Sequence, residues 1–391
     1  MKLAVYSHKP CWRSDESPTG YATHGGFPFQ MRAIAGLFNE TVLVLPGRNS
    51  PEKSGEIPLS GHELRVVPLS LLYGHDMERK LRFPFWLLRN MPSLIREAVR
   101  CDAIHAPIPG DIGTVGMLLA LILQKPLFVR HCGNWLAPRT VAERFWIWSM
   151  ERFAGGRNIM LATGGQPQSP SASNPNIRWI FSTSLTEDEL RRIGSVRSLP
   201  ECLSVKLIIV CRQEPDKGTD LVLRSLIPLK KMGRDFHLDV VGDGTALLAL
   251  KKMALELSLA QQVTFHGKVT HEEVLELLQQ AHLFCYPTRA SEGFPKVILE
   301  ALASGLPVVT TRVSVLPELI GSGCGVLIEN PNPGAVADAV DGIVSDPENY
   351  QRMSLQAVDT ARSYSLEQWQ ACIGEALVQS WGPLRTNANA R

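Results

Sequence analysis

Two carboxylates mark a short segment whose residue types suit a ligand rich in hydroxyl groups. Glu292 and Glu300 are separated by seven residues, the first in a loop after Ser291 and the second inside an apolar run. An ionised carboxylate accepts hydrogen bonds from hydroxyl groups without changing its protonation state. Glu300 is therefore suited to a vicinal diol, and Glu292 to a separate hydroxyl group.

The elements around these glutamates follow from nearby prolines and glycines. Pro295 suits a first helical turn, where its missing amide hydrogen is not needed, and Gly305 suits a left-handed cap after the last turn. Pro307 prevents continuation, so the spacing predicts a helix over 295–304 between two strands. Its first amides carry roughly half a positive charge, which suits a diphosphate. An ordinary strand–helix–strand unit with two solvated glutamates explains the same pattern, and spacing alone does not choose between them.

Short apolar runs alternate with helical patterns along the chain and fall into two series. Runs rich in Val, Ile and Leu that are separated by helices indicate parallel strands buried on both faces. Two such series predict an α/β protein with two Rossmann-like, doubly wound domains. After an opening strand in residues 1–7, the predicted strands are Val42–Leu45, Arg65–Pro68, Ala103–His105, Leu127–Arg130, Ile159–Ala162 and Ile177–Phe181, then Lys206–Val210, His237–Val241, Val263–His266, Leu283–Tyr286, Val308–Thr310 and Gly325–Ile328.

The length of the chain also indicates two domains. A chain of 391 residues is too long for one ordinary core. The predicted domains are 1–184 and 185–365, followed by a C-terminal helix in 366–391 that packs back towards the first domain. Thr186 is expected to begin a helix just after the boundary, because Glu189 completes a capping box with it.

Composition limits the partners. A formal net charge of +2 argues against bulk nucleic-acid binding, which needs a concentrated basic surface. The eight cysteines contain no CxxC pair and no spacing typical of a metal site. The N-terminal residues lack the long apolar run of a secretory signal. We therefore expect a cytoplasmic protein that binds neither a metal nor nucleic acid.

Two basic, aromatic segments raise the question of a membrane surface. Residues 79–89 contain four basic side chains and three aromatic ones, and residues 144–148 repeat the pattern on a smaller scale. Such segments suit contact with an anionic membrane. Core helices with charged ends are the alternative, and Pro84 is expected to interrupt the first segment as a single helix. The sequence thus leaves peripheral contact with the inner face of the membrane as an open prediction.

Four motifs occur in an order that resembles a known family. They are the Glu292-to-Val309 segment with its Glu-x7-Glu pair, Val210–Gly218 with an Arg and a Lys-Gly pair, Val241–Gly244, and Phe265–Val269. Together they resemble the retaining glycosyltransferases of family 4. The resemblance implies the GT-B fold, in which two facing Rossmann-like domains enclose a deep interdomain cleft. The first domain would then bind the acceptor and the second the nucleotide sugar.

The same resemblance implies roles for residues of the second domain. Arg212 and Lys217 would neutralise the donor diphosphate, and Glu300 would hold the ribose. Glu292 would contact the donor sugar together with the amides of Gly293 and Phe294. Residues around 266–269 would border the base.

In the first domain the resemblance rests on fewer residues. Gly25 and Gly26 match a glycine-rich loop that faces the reaction centre, and a helix is expected to begin just after them, near residue 27. His131 resembles a strand-end histidine beside the donor sugar, whereas His105 is a weaker candidate and an isolated histidine is more often structural. Residues 179–183 stand where most members carry an Asn-Gly turn, so the resemblance does not fix the hinge.

The implied reaction is transfer of a hexose from a nucleotide diphosphate sugar, UDP- or GDP-linked, to a hydroxyl acceptor with retention of configuration. No Asp-x-Asp motif is present, so Arg212, Lys217 and the helix end would replace a divalent cation. A sugar-nucleotide epimerase on the same fold and a non-catalytic nucleotide-sugar-binding subunit are the alternatives. The sequence does not identify the base, the sugar or the acceptor.

Overall fold

The chain forms two compact units. Residues up to Ser184 and the segment that begins at Leu366 make the first, and Leu185–Ser365 make the second. The computed structural model describes residues 1–48, 57–74, 76–136, 138, 140–199, 204–291 and 293–385, and for residues 76 and 77 only the backbone.

The first unit is an α/β domain whose central strands are all parallel. Its sheet runs in the order β10-β9-β8-β7-β1-β4, with β6 also paired to β4. Its strands are β1 (Lys2–Tyr6), β2 (Cys11–Arg13), β3 (Tyr21–Thr23), β4 (Glu40–Arg48), β5 (Ile57–Pro58), β6 (Leu64–Leu69), β7 (Ala103–Ile108), β8 (Leu127–His131), β9 (Asn158–Thr163) and β10 (Ile177–Ile180). Its helices are α1 (Phe27–Ala35), α2 (Asp76–Arg100), α3 (Asp111–Ile122), α4 (Val141–Phe153) and α13 (Leu366–Trp381).

The short strands β2, β3 and β5 extend this sheet beyond β4. β2 pairs with the carboxyl end of β4, and β3 and β5 follow in antiparallel pairs. These strands were not predicted, because two or three residues are too few to show a period of two along the chain. The longer predicted strands of this unit each coincide with an observed one, although the prediction Ile177–Phe181 extends one residue beyond β10.

The helix α2 corrects the expectation that Pro84 interrupts it. The helix is continuous from Asp76 to Arg100 and contains both Pro84 and Pro92. A proline removes one helical hydrogen bond, but packing on either side compensates for the loss. Trp86 donates a hydrogen bond to the Ser70 carbonyl at 2.6 Å. Among the described residues, no helix has both the length and the apolar content needed to cross a membrane.

The C-terminal helix α13 completes the core of the first unit. Leu366, Trp369 and Ile373 are buried in one apolar cluster with residues of β1, α1 and β4. The guanidinium of Arg130, on β8, lies 4.9 Å from the centre of the Trp369 ring. The last helix therefore supplies core side chains to strands that are distant from it in sequence.

The second unit is a doubly wound domain with an entirely parallel sheet. The strand order is β13-β12-β11-β14-β15-β16. Its strands are β11 (Val205–Val210), β12 (Phe236–Val241), β13 (Val263–Gly267), β14 (Leu283–Tyr286), β15 (Val308–Thr311) and β16 (Gly325–Ile328). Its helices are α5 (Glu187–Ile193), α6 (Thr219–Lys231), α7 (Leu247–Glu256), α8 (His271–Gln280), α9 (Lys296–Ala303), α10 (Leu316–Ile320), α11 (Pro333–Val344) and α12 (Pro347–Arg362).

The predicted fold class is confirmed in both units. All six strands predicted for the second series are present, and α5 begins with the predicted capping box between Thr186 and Glu189. In a doubly wound sheet, ligands bind beyond the carboxyl ends of the strands where the strand order reverses. In the second unit that position lies between β11 and β14, which are neighbours in the sheet but distant in sequence.

Candidate functional site

A cavity of about 680 Å³ opens at the carboxyl ends of β11, β12, β13 and β14. Arg212 and Lys217 line it from the loop after β11, and Phe294 and Glu300 line it from the loop before α9 and from α9 itself. The structure therefore brings four of the predicted donor-binding residues together in the second unit.

The loop between β11 and α6 is held by a buried glutamine. The Gln213 amide donates to the Val241 carbonyl at 2.9 Å, and its oxygen accepts a hydrogen bond from the Thr219 hydroxyl at 2.7 Å. Gly218 ends the loop in the left-handed region with φ 84°, and a Cβ there would lie 2.2 Å from the Pro287 carbonyl oxygen. Only glycine fits this position without displacing the loop that carries Arg212 and Lys217.

Lys217 brings a largely buried ammonium group to the cavity. Only 7% of the residue is exposed. Burial lowers the pKa of Lys217, and the nearby Asp216 carboxylate partly opposes that shift. An anion in the cavity would favour the charged ammonium in the same way, so the position suits a phosphate. Arg212, by contrast, is exposed at the edge of the loop.

The helix α9 directs its first turn at the cavity. It begins at Lys296, one position after the predicted start, so Pro295 is the N-cap residue. The N-cap proline itself contributes no capping hydrogen bond, and both Pro295 and Lys296 line the cavity. Gly305 follows the helix with φ 71°, the left-handed conformation expected from the sequence. The amide dipoles at the start of α9 therefore add to the positive potential of the cavity.

Glu300 is a buried carboxylate on the wall of this cavity. Burial raises its pKa, while the charges of His271 and Lys296 act in the opposite direction. The Nδ1 atom of His271 lies 3.8 Å from a Glu300 carboxylate oxygen. A poorly solvated carboxylate gains from hydroxyl donors, such as those of a ribose diol.

The predicted base-binding segment is only partly at the cavity. Lys268 and Val269 line it. His266 instead places Nε2 2.7 Å from an Asp239 carboxylate oxygen on the neighbouring strand, and it does not line the cavity. The pairing of β12 with β13 shifts from Phe265 to Gly267 and skips His266, and Lys268 and Val269 follow the end of the strand, where the cavity opens.

Two charged residues at the cavity carried no predicted role of their own. Lys296 and Asp243 both line the cavity beside the predicted cations. Lys296 had a detectable signal, since it directly follows Pro295 and first-turn residues of a helix lie beside any ligand bound at its end. Asp243 had none, because an acidic residue in a Gly-Asp-Gly turn is usually only a turn former.

Among the described residues, Gly293, Gly25 and Gly26 do not line this cavity. Glu292 is outside the described residues, and Gly293 directly precedes Phe294. Gly25 and Gly26 lie in the first unit, where Gly26 is the N-cap of α1 and Phe27 its first residue. The helix start expected after these glycines is therefore confirmed.

His131 ends β8 in the first unit and is completely buried. Neither ring nitrogen forms a hydrogen bond of ordinary geometry with any described residue. Burial lowers the pKa of His131 to about 4, so the ring is neutral at neutral pH. His105 is different, because its Nδ1 lies 2.9 Å from the Phe128 carbonyl and its ring stacks on Phe128, which indicates a structural role.

Groups of acidic, histidine and cysteine side chains that would suit a metal ion are absent from the described part of the chain. The positive groups of the cavity are instead the side chains of Arg212, Lys217, Lys268 and Lys296.

Comparison with known proteins identifies relatives of the second unit. Residues 204–359 match the family model described as glycosyl transferases group 1. A stretch of 172 residues is 32% identical to the GDP-mannose-dependent alpha-(1-6)-phosphatidylinositol monomannoside mannosyltransferase of Mycolicibacterium smegmatis, covering 42% of this chain and 44% of that protein. The chain thus spans less than half the length of this relative. The alpha-D-kanosaminyltransferase of Streptomyces kanamyceticus is 28% identical over 72% of this chain and 78% of its own.

A solved structure extends the likeness to both units. The crystal structure of Anabaena HepE in complex with UDP matches with a TM-score of 0.70 and 17% identity, over 97% of this chain and 100% of that one. The predicted GT-B fold is therefore confirmed. The predicted enzyme class, a glycosyltransferase of the hexosyltransferase type, agrees with these matches, and the cavity residues all lie within the segment that the family model covers. The finer assignment to family 4 stays a prediction.

Proposed function

We propose that this protein transfers a hexose from a nucleotide diphosphate sugar to a hydroxyl acceptor with retention of configuration. The observation that carries the proposal is the cavity at the carboxyl ends of β11–β14. There Arg212, Lys217 and the start of α9 provide positive charge beside the buried carboxylate of Glu300. Fixed cations and a diol-binding carboxylate are what a nucleoside diphosphate requires.

The positive groups have a direct role in the chemistry. As the acceptor oxygen forms a bond to the anomeric carbon, the bond from that carbon to the phosphate oxygen breaks and negative charge develops on the leaving diphosphate. Preorganised cations and amide dipoles stabilise that charge more than they stabilise the substrate. The leaving phosphate oxygen accepts the proton of the incoming hydroxyl group. This same-face path accounts for retention without an enzyme nucleophile.

The names of the relatives support a nucleotide-sugar donor. One curated relative is described as GDP-mannose-dependent, and the similar HepE structure holds UDP. We assign Glu300 to the ribose, Gly293 and Phe294 to the donor sugar, and Glu292 to a hydroxyl group of that sugar. Lys268 and Val269 lie at the edge of the cavity where a base would fit. No divalent cation is required in this proposal.

We propose that the first domain contributes His131 and the backbone around Gly25 and Gly26. The neutral, buried ring of His131 forms no hydrogen bond of ordinary geometry with a described residue, and it has a polar contact with the backbone of Gly133. A buried polar atom gains from any ligand group that satisfies it. A hydroxyl or carbonyl oxygen of the donor sugar would do so. His131→Phe should leave the fold intact and lower the rate of sugar transfer.

The donor is the first part of the proposal to test. Thermal unfolding should be measured with a panel of nucleoside diphosphates and nucleotide sugars, because a ligand that binds the native state raises Tm. We expect one base to stabilise the protein, and Glu300→Ala to lose that effect. Glu276→Ala, an exposed glutamate on α8, is the matched control. Absence of stabilisation by every nucleotide would contradict the assignment of the cavity.

Lys217→Ala then tests the transfer step. Loss of one group that stabilises transition-state charge lowers kcat by about 10²–10³, so donor turnover should fall by that factor while the far-ultraviolet circular dichroism spectrum is unchanged. Wild-type turnover in the variant would refute the role of Lys217. Conversion of the donor to an isomer without an acceptor would instead indicate an epimerase, and binding without turnover would indicate a nucleotide-sugar-binding subunit. Activity should also survive a strong chelator.

A further inference from the structure

The helix α2 presents a continuous apolar face to solvent. Leu81, Phe85 and Leu88 are 70%, 76% and 72% exposed, and Ile95 and Val99 continue the row at 42% and 56%. Their spacings of three, four and seven residues place them along one side of the helix. At 1.5 Å per residue this apolar stripe is roughly 27 Å long. Single exposed apolar residues are common, but a continuous row marks an interaction surface.

A row of arginines follows one edge of the apolar stripe. Each arginine of the row directly follows a residue of the apolar stripe. The row consists of Arg82, Arg89, Arg96 and Arg100. Two acidic side chains pair with the row, since Glu78 contacts Arg82 and the buried Glu97 contacts Arg96 as well as Arg65. They cancel only part of its charge. The whole helix contains six basic and three acidic residues. Its outer surface is therefore apolar along the middle and cationic along one edge.

The arginine row borders a cavity of about 780 Å³ at the carboxyl ends of β4 and β6. Arg48, Arg82 and Arg89 line it together with Trp86, and Phe85 belongs both to the cavity and to the apolar stripe. Arg48 and Arg89 form no ion pair with another residue of the described ranges. A guanidinium group matches the planar pair of oxygens of a phosphate, so the cavity suits an anionic headgroup.

We propose that α2 docks on the surface of an anionic phospholipid bilayer. The apolar stripe lies among the acyl chains near the interface, and the arginine row and the cavity bind lipid phosphates. An amphipathic helix with arginines beside large apolar residues has the charge and the apolar area that such an interface attracts. A second copy of the chain fits less well, because it would bring its own arginine row towards this one. The proposal does not depend on the function proposed above.

The experiment is sedimentation of the full chain with sucrose-loaded vesicles. Vesicles of phosphatidylcholine alone are compared with vesicles that also contain phosphatidylglycerol. We expect binding to the second kind only, weakening as salt rises. Leu88→Ser and Arg89→Gln should each lower the vesicle partition coefficient, the first by about tenfold or more because a buried leucine side chain is lost from the interface. Tm should not change in either variant.

Two substitutions elsewhere serve as matched controls. Leu248 on α7 is 81% exposed, so Leu248→Ser removes an equally exposed leucine from the second unit, and Arg192→Gln removes an exposed arginine on α5. Both should bind vesicles as the wild type does. The proposal is overturned if anionic vesicles do not bind the wild type, or if the controls lose as much binding as Leu88→Ser.

Other occupants of the surface would also be recognised. A dimer in sedimentation velocity that Leu88→Ser dissociates, without vesicle binding, would assign the stripe to a second copy. Another outcome is that inorganic phosphate abolishes vesicle binding while Leu88→Ser binds vesicles as the wild type does. That pair of results would show that only the phosphate-binding cavity is involved and would overturn the role of the apolar stripe. The change in Tm that a nucleotide causes in Leu88→Ser is a separate measurement. Loss of membrane binding with an unchanged nucleotide effect would therefore not count against the proposed donor site.

Discussion

The burial of Glu300 at the ligand site lowers the stability of the folded protein. The carboxyl group of Glu300 is buried, and the Nδ1 atom of His271 lies 3.8 Å from one of its oxygens, longer than a hydrogen bond. The pKa of Glu300 is raised above its ordinary value of 4.5 by that burial. The folded state thus holds the proton more tightly than the unfolded state does. Stability is lost as pH rises from the ordinary value through the raised one, because the carboxylate must be charged without full solvation.

Glu300→Gln should therefore stabilise the empty protein while weakening ligand binding. Glutamine keeps the shape of the side chain and removes the charge, so Tm should exceed that of the wild type at pH 7 and the difference should shrink towards about pH 4, where both side chains are neutral. Thermal unfolding of both proteins across this range measures the effect. Stabilisation by the nucleoside diphosphate should be smaller in the variant at pH 7, because an amide accepts fewer hydrogen bonds than a carboxylate.

A higher Tm for the wild type at pH 7 would show that Glu300 is paired more favourably than its burial indicates. Glu276→Gln on the surface of α8 should leave Tm within the range typical of exposed substitutions, about 0.5 kcal/mol in free energy of unfolding.

The residue types at the donor cavity could largely be predicted from the sequence, whereas their exact neighbours could not. Arg212, Lys217 and Glu300 occur in motifs whose loops and helix ends converge in any doubly wound sheet. His266 was placed near the base by the same reasoning, but its side chain points along the sheet to Asp239. One residue of register on β13 decides which side chain faces the ligand, and the sequence of an isolated strand does not carry that information.

At the scale of elements, the loop between β11 and α6 depends on one glycine. Gly218→Ala adds a methyl group 2.2 Å from the Pro287 carbonyl oxygen in a left-handed conformation with φ 84°. We expect a loss of about 1–3 kcal/mol in the free energy of unfolding, and weaker nucleotide binding because Lys217 shifts with the loop. Urea unfolding and the nucleotide-induced change in Tm measure the two effects.

Gly233 provides a control for the backbone term alone. It also has a positive φ, 77°, but a Cβ there would meet no atom within 4 Å. Gly233→Ala should lose only the cost of a left-handed alanine, about 1–2 kcal/mol, and keep wild-type nucleotide binding. Equal effects of the two variants on nucleotide binding would contradict the role given to the loop.

The two helices nearest the proposed sites were predicted with different success. The end of α9 could be located within one residue because Gly305 and Pro307 are strong local stop signals. The continuity of α2 could not be predicted, because local rules treat Pro84 as a break. Tertiary packing decides the outcome there: Trp86 and Asn90 both bond to Ser70 and hold the turns after the proline against the domain.

At the scale of the whole molecule, the first unit is completed by a helix that follows the second unit in sequence. Trp369 on α13 is fully buried, and the Arg130 guanidinium, itself buried, lies over its ring. Trp369→Ala should destabilise the first unit by about 3–5 kcal/mol, because it leaves a large cavity and removes the aromatic face from a desolvated cation. Urea unfolding followed by tryptophan fluorescence measures the loss.

The second unit should be unaffected by this change, since its core contains none of these residues. Nucleotide binding, measured by calorimetry below the unfolding transition, should therefore match the wild type. Val378→Ala, at a position 47% exposed on the same helix, is the control and should have little effect. Loss of nucleotide binding in Trp369→Ala would contradict the independence of the two cores.

The position of α13 also determines which of the two units can complete its fold first during translation. When the chain has been synthesised as far as Ser365, just after α12, the second unit has all of its own residues, whereas the first unit still lacks Leu366, Trp369 and Ile373. Its sheet must wait with part of its apolar surface open to solvent until α13 emerges. Translation therefore exposes the first-made strands longest, and a chaperone that binds nascent apolar segments would find its target in them rather than in the nucleotide-binding half.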